Sequence, residues 1–549
     1  MYPLSESANL NSPRKGTALL VVLVVIVLLS LVTYTFTQTM IVEANASLHY
    51  AHDAQARELA NSGVDYVAAL LTPYQYDEPF NSWHDPSMFA GVMVVDASQA
   101  EGIGRFTVIA PLESDSMYRG VRYGLTNQSS LININTIVNE DLDEETMRWR
   151  LMVLPNMTED VADAILDWVD KDTEQRSYGA EDDSYLTLGM LYGPANGPLE
   201  SIDQLLLVVG VTPELLYGED VNRNGILDPN EDDGETSLPY DNADGILDLG
   251  WSAFLTVHSR ESNLGLTGET KLDVNQGLLT ELYDSIELAF DAETALFITA
   301  YRANGATNVD PLPESSVNSG NTTGDTTTDE ILNNLAQGLV KSVLQDPSQS
   351  SVTRGGLDLS KGATVEIDSL FELIGAEVDV VLDGQPTTLV SPFTADSQSL
   401  QFLYDNFTTN SSTAIDGRIN INEARYETLM SIPWMTEELA SAILSARPIT
   451  ADGTADINVM AQRTNIGWLL SEQLADLMTV RLLDRYATTS GTVFKAQVIG
   501  CFSGPGPVSR IEAVIDATEA PPQILFRRDL TNLGPGYTTQ QLLPMSNEP

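Results

Sequence analysis

The chain reads as an α+β protein: a long N-terminal helix and a small antiparallel sheet carry a large inserted, mainly α-helical domain. Three observations point there. An uncharged apolar run near the N-terminus continues without proline into an Ala-rich amphipathic stretch. Segments of strand-like alternation stand on either side of the bulk of the chain. Between them a helix–turn–helix pattern recurs. With 549 residues, 43% of them hydrophobic, the chain has material for about three or four domains.

The helix comes first. Residues 1–16 are polar and end Ser12-Pro13-Arg14-Lys15-Gly16, and from Thr17 to Val42 no residue is charged. At a rise of about 1.5 Å per residue that run is about 39 Å long, enough to cross a bilayer. Arg14 and Lys15 precede it and Glu43 and Asp53 follow, which places residues 1–16 in the cytoplasm and the rest outside it. A cleaved secretory signal needs a shorter apolar core and a small-x-small site, and no such site closes this run before Ala44. A plain signal anchor and a prepilin leader, cut after the glycine that precedes the apolar run, both fit Arg14-Lys15-Gly16-Thr17-Ala18-Leu19-Leu20. Residues 44–71 favour the pilin form. Leu48, Ala51, Gln55-Ala56, Leu59, Val67 and Leu70 fall at helical spacing, so the membrane helix continues as an amphipathic stem.

The strands come next. Gly104–Ala110 alternates, and Met117–Gly124 is its expected partner. Far along the chain Gly491–Gly500, Ser509–Asp516 and Gln523–Arg527 read as strands joined by a Gly-Pro turn.

The intervening residues repeat. Leu131-Ile132-Asn133-Ile134-Asn135 precedes Leu154-Pro155-Asn156-Met157-Thr158 and an apolar-periodic run to Leu166. Arg418-Ile419-Asn420-Ile421-Asn422 precedes Ile432-Pro433-Trp434-Met435-Thr436 and a similar run to Leu444. A weaker copy starts at Leu272-Asp273-Val274-Asn275 and ends at Ile298, and Val209–Leu215 looks like a fragment of the same turn. Thr158 and Thr436 read as N-caps. The pattern resembles the helix-hairpin-helix (SAM-like) module, which in many proteins binds DNA phosphate through glycine amides. Here the turns lack the glycine, and 27 basic residues stand against 78 acidic ones, a net charge of −51. Nucleic-acid binding is excluded on that charge, and the hairpins read as packing units. Asn304–Asp329, rich in Asn, Ser, Thr, Gly and Pro, reads as a flexible linker between two helical halves.

Taken together, the leader junction Lys15–Leu20, the repeat Leu131–Asn135 with Leu154–Met157, and four further segments resemble the K-type minor pseudopilins of type II secretion (general secretion pathway protein K). Those segments are Ala164–Asp170, Gly179–Asp183, Asn196–Ser201 and Ile524–Asp529. The resemblance covers about 1–218 and 416–530, while 219–415 carries extra insertions. It divides the chain into a prepilin leader (1–16), a transmembrane and stem helix (17–72), pilin-like strands (73–130) and a helical insert (131–302). A linker (303–329), a second helical part (330–487) and C-terminal strands with a tail (488–549) follow. It implies cleavage after Gly16 by a prepilin peptidase and methylation of Thr17. It implies assembly with the I- and J-type minor pseudopilins and the major pseudopilin, and a place at the tip of the secretion pseudopilus, where the subunit helps nucleate and cap the filament. The chain would then be anchored once in the inner membrane with its bulk in the periplasm. Most pilins carry Glu at the fifth mature residue to neutralise a neighbour's N-terminal amine within the membrane. This chain has Val21 there, a departure the family shares, which implies a subunit that docks beneath no other. The rival readings are a minor pilin of a type IV pilus, expected to keep that Glu, and a membrane-anchored calcium-dependent interaction protein that keeps residues 1–16.

Calcium is the expected cofactor. Asp220-Val221-Asn222-Arg223-Asn224-Gly225-Ile226-Leu227-Asp228-Pro229-Asn230-Glu231 fits the twelve-residue calcium loop. Asp220, Asn222 and Asn224 stand at positions 1, 3 and 5, Gly225 at the turn, the Ile226 carbonyl at 7, Asp228 at 9 and Glu231 at 12. Asp241–Asp248 repeats the centre of the pattern through Asp241, Asp244 and Asp248, but Tyr240 takes the place of the first ligand and Trp251 that of the last. This second loop therefore needs ligands from elsewhere. A third acidic cluster, Asp170, Asp172, Glu174, Glu181, Asp182 and Asp183, matches the acidic motif by which the family binds calcium. No clear helix follows either loop, so both read as structural clips rather than opening sensors. One cysteine and four scattered histidines leave no disulfide or CxxC site, and no GxSxG, HExxH or phosphate loop is present, so no enzyme activity is expected.

Overall fold

The computed structural model describes residues 15–72, 84–98, 102–112, 120–138, 142–238, 240–265, 267–309, 352–447 and 456–543. Most of the leader and of the linker expected over 303–329 lies outside the described residues, as do Met117–Arg119 of the second expected strand.

Helix α1, Lys15–Leu71, is continuous through 57 residues. It is apolar and long enough to cross a membrane by length and composition. From Ala18 to Ala51 every side chain is exposed, and Ala56, Leu59, Ala60, Val64, Val67 and Leu71 are then buried. The buried positions recur at three and four residues, one stripe of the helix. Leu48 and Ala51, expected in the packed stem, remain exposed, because the sheet that α1 lies on begins only at Ala56.

That sheet is built from both ends of the described chain. Its strands are β1 (Val92–Val95), β2 (Gly104–Pro111), β3 (Val121–Arg122), β4 (Thr126–Asn127), β5 (Val493–Phe502), β6 (Ser509–Asp516) and β7 (Gln523–Asp529). The order is β1-β2-β5-β6-β7, with β3 beside β2 and β4 beside β5. All pairings are antiparallel; Val498 on β5 stands opposite Val108 on β2 and Ile511 on β6. The helix packs on β2, β5 and β6. A Cβ at Gly500 would sit 2.1 Å from the Ala56 carbonyl oxygen, so only glycine lets α1 approach β5 this closely.

Residues between β4 and β5 form the insert. Three short parallel strand pairs frame it: Ile132–Asn133 with Leu255–Thr256, Leu272–Asp273 with Phe407–Thr408, and Ile419–Asn420 with Ala487–Thr488. Two helices follow the first strand of each pair: Glu144–Met152 and Glu159–Val169, Leu279–Ala289 and Ala292–Asn304, Tyr426–Met430 and Glu437–Ala446. An asparagine just past each first strand ties the unit shut. Asn135 donates to the Leu199 and Val257 carbonyls and accepts from the Leu199 N–H. Asn275 donates to the Ile367 and Thr409 carbonyls and accepts from the Ile367 N–H. Asn422 donates to the Arg463 carbonyl.

Thr436 caps its helix through Leu439 N–H, whereas the Thr158 hydroxyl makes no capping bond. The insert also holds a four-stranded antiparallel sheet over 353–390, which the mainly helical expectation missed. One continuous apolar core runs from Ile132 to Ala487, so the two helical halves share their packing.

Candidate metal centres at the joint between insert and sheet

The first calcium-like loop sits where the insert meets the sheet. Ile226 is buried in the core beneath α1 and the sheet. Arg510 on β6 donates to the Asn222 and Arg223 carbonyls, and Gln497 on β5 donates to the Arg223 carbonyl. The tail closes the other side, with the Tyr537 hydroxyl donating to the Asn224 carbonyl and the Asn224 amide donating to the Gly536 carbonyl. Arg528 on β7 adds a second tie, pairing with Asp203 of the insert and with Glu512.

Within the loop, Asp220 accepts from the Asn224 and Gly225 N–H groups, Asn222 from the Asn224 N–H, and Asn224 from the Ile226 N–H. Arg223 at φ +59 and Gly225 at φ +68 turn the chain back on itself. The Asn222 and Asn224 amides donate to Asp228 at 2.5 and 2.9 Å. Asp228 N–H donates to Glu231 Oε2 at 3.0 Å. Glu231 is 1% exposed, and its Oε1 is buried without a hydrogen-bond partner among the described residues. Burial pushes the Asp220 carboxyl up to about 6. Burial, reinforced by Asp220 and Asp228, pushes Glu231 up to about 7. Among the described residues no three His, Cys, Asp or Glu side chains are already gathered as a metal centre. The donor set here is mixed: carboxylate, amide and carbonyl oxygens. An all-oxygen set with one orphaned buried carboxylate oxygen fits a hard divalent cation.

The second loop copies the hydrogen bonding of the first. Asn242 accepts from the Asp244 N–H and Asp244 from the Ile246 N–H, and the Asn242 amide donates to Asp248. Ala243 at φ +53 and Gly245 at φ +81 match Arg223 and Gly225. Asp241 is not turned to the loop centre alone: it accepts from the Asp233, Gly234 and Ala243 N–H groups. Two residues that the sequence reading passed over bond here instead. Gly245 N–H donates to Asp232, and Asp248 N–H donates to Glu219.

The third cluster divides. Asp170 and Glu181 are buried, while Asp172, Glu174, Asp182 and Asp183 are exposed. Arg176 lies against the buried part and pairs with Asp170 and with Asp167, a buried acid outside the expected set. Asp170 Oδ1 and Glu181 Oε1 stay unpartnered among the described residues. Burial, then Asp167 and Asp170, push Glu181 up to about 7. Part of the charge that a cation was expected to neutralise is therefore met by the Arg176 guanidinium, which charge counting along the sequence missed. Gly16 and Thr17 lie in the first turn of α1 and Val21 one turn on, where it is exposed.

Residues 130–217, which contain the third cluster, match the family model of the type II secretion system (T2SS) protein K. A type II secretion system protein K of Pectobacterium carotovorum subsp. carotovorum is 30% identical over 101 residues, 17% of this chain and 28% of that protein. The chain thus aligns with little more than a quarter of that relative's length. The structure of the GspK-GspI-GspJ complex from the enterotoxigenic Escherichia coli Type 2 Secretion System covers 90% of this chain and 99% of its own, at 12% identity and TM-score 0.33. The resemblance to protein K rests on the family match, which spans the insert's first pair of helices and the third acidic cluster.

Proposed function

We propose that the chain is a minor pseudopilin of a type II secretion system, placed at the tip of the pseudopilus, where it helps nucleate and cap the filament that drives export of folded proteins. The carrying observation is α1: exposed from Ala18 to Ala51, then packed on a sheet made from both sides of a large insert. A free apolar half-helix suits a membrane segment that later packs against other subunits, and an insert this bulky would obstruct any subunit stacked above it. On this reading a prepilin peptidase cuts after Gly16, Thr17 is methylated, and Val21 is tolerated because no subunit above presents an amine to neutralise. The bulk of the chain lies in the periplasm, the I- and J-type minor pseudopilins and the major pseudopilin are its partners, and the strand–helix–helix units of the insert belong to the helix-hairpin-helix class as packing modules. The role is structural, without catalysis.

Calcium is proposed as the cofactor. The first loop would hold it through Asp220, Asn222, Asn224, the Ile226 carbonyl, Asp228 and Glu231. The ion would supply positive charge where burial now disfavours two carboxylates. Because Arg510, Gln497 and Tyr537 grip this loop, calcium there would fix the insert on the sheet. Asp170 and Glu181 are proposed as the inner ligands of a further site.

Co-expression with the I- and J-type minor pseudopilins of the same system, followed by detergent extraction and size-exclusion chromatography, tests the assignment. The three proteins should elute as one complex. Elution of this chain alone, with the other two paired, would overturn it.

A further inference from the structure

Strand β5 turns its side chains to the two faces of the sheet in alternation. Phe494, Ala496 and Val498 are buried in the core beneath α1, so Lys495 points to the opposite face. There it stands between Thr126 of β4 and Val514 of β6, and Val514 pairs in turn with Phe526 of β7. Between this face and the insert lies a cavity of about 160 Å³, walled mainly by apolar groups: Val514 and Phe526 from the sheet, Leu255 and Val257 from the insert. Two of its cations are matched. Arg528 pairs with Asp203 and Glu512, and Arg223 pairs with Asp203 while lying over the Tyr217 ring at 4.0 Å. Lys495 lines the same cavity, and its ammonium has no ion pair and no hydrogen bond among the described residues.

A second observation comes from Gln128, the first residue of the insert, which is 4% exposed. Thr256 Oγ1 accepts from the His258 N–H and donates to Gln128 Oε1 at 2.8 Å. That fixes the amide with its oxygen toward Thr256. Gln128 Nε2 is left buried on the cavity wall with no acceptor among the described residues, and His258 Nε2 on the same wall is also without a partner. An ammonium and an amide NH₂ can only donate. Leaving a buried donor without an acceptor is costly.

We propose that this cavity binds a compact carboxylate with an apolar body. Lys495 Nζ and Gln128 Nε2 take its oxygens, and Val514, Phe526 and Leu255 cover its body. The donors call for an acceptor, the unmatched ammonium makes that acceptor an anion, and the apolar walls favour an organic body over a bare inorganic ion. The volume sets the size: an apolar cavity of about 150 Å³ holds one benzene, so a single ring or a short branched chain fits. Two sources share this chemistry: a free organic acid, and the last residue of a polypeptide that ends in an apolar side chain. Because Gln128 belongs to the insert and Lys495 to the sheet, the occupant bridges the two and ties their joint independently of any cation.

Isothermal titration calorimetry of the detergent-solubilised full chain tests this. The probes are 3-phenylpropionate for the free acid, N-acetylglycylphenylalanine for the polypeptide end, and 3-phenylpropionamide as the uncharged control. The proposal expects one saturable site for at least one acid, and the tighter of the two names the source. It expects the amide to bind about tenfold more weakly than 3-phenylpropionate or not at all, and the acid to lose about tenfold in affinity for Lys495→Met. The amide comparison uses the unaltered chain, so misfolding of a variant cannot imitate it. The proposal is overturned if neither acid saturates a site on the parent chain, or if the amide binds as tightly as the acids. It is also overturned if Lys495→Met, melting with the parent, binds the acid as tightly as the parent does.

Discussion

Glu231 and Asp220 are held at about 7 and about 6 by burial, above the values near 4.3 and 3.9 that these groups have in an unfolded chain. Between about pH 4 and pH 7 the calcium-free folded chain therefore keeps protons that the unfolded chain has released, so its stability falls as pH rises through that window. If calcium fills this loop as proposed, it takes the place of those protons, and its stabilising effect should be small at pH 5 and large at pH 7.5. At a free concentration about 100 times Kd it contributes about 2.7 kcal/mol. Melting temperatures with calcium and with chelator at both pH values measure this, and an equal calcium shift at pH 5 and 7.5 would contradict it. The tight turn of the first loop was legible because the residues that build it lie within twelve consecutive positions. Glu219, Asp232 and Arg176 were not, because each acts on a group that the chain brings close only by folding back.

The elements carry the repeat. Asn275 makes three hydrogen bonds that join the start of its unit to Ile367 and Thr409, far along the chain. Asn275→Ala leaves an N–H and two carbonyls without that partner, and unpartnered buried groups cost about 1–3 kcal/mol each. A loss of about 3 kcal/mol in chemical denaturation is expected, and a loss below 0.5 kcal/mol would show that the asparagine does not tie the unit. Gly500 sets the distance between α1 and β5. Gly500→Val should destabilise the chain by about 3 kcal/mol through overpacking, with the same denaturation readout, since the added Cβ meets helix backbone that cannot rotate aside. The Asn-containing strand starts and the pairs of helices after them were readable as a recurring pattern. The returning strands Leu255–Thr256, Phe407–Thr408 and Ala487–Thr488 were not, being two residues long and paired across more than sixty residues. The sheet over 353–390 was missed because its outer strand, Gln385–Val390, is almost wholly exposed and lacks the alternation that marks a half-buried strand.

At the scale of the whole molecule, the order of the chain explains the architecture. A helix, half a sheet, an insert and the other half of the sheet force the insert to leave and return at neighbouring strands, β4 and β5, which are paired. The first calcium-like loop lies against that junction, so a local cation would control how firmly insert and sheet are joined. The strands on either side of the insert were legible from alternation, which is why the plan could be read before the pairing was known. The core shared by the first and second parts of the insert was not, since side chains that meet from segments far apart in the chain leave no periodic trace. The exposed stretch of α1 is the surface that the proposal assigns to a membrane and neighbouring subunits, and the first residue of the mature chain distinguishes the proposal from its rivals. Mass spectrometry of the N-terminal peptide from membrane-extracted protein is therefore the most direct measurement. A chain beginning at methylated Thr17 is the predicted result; a chain that retains residues 1–16 would contradict the pseudopilin account and leave a plain membrane anchor.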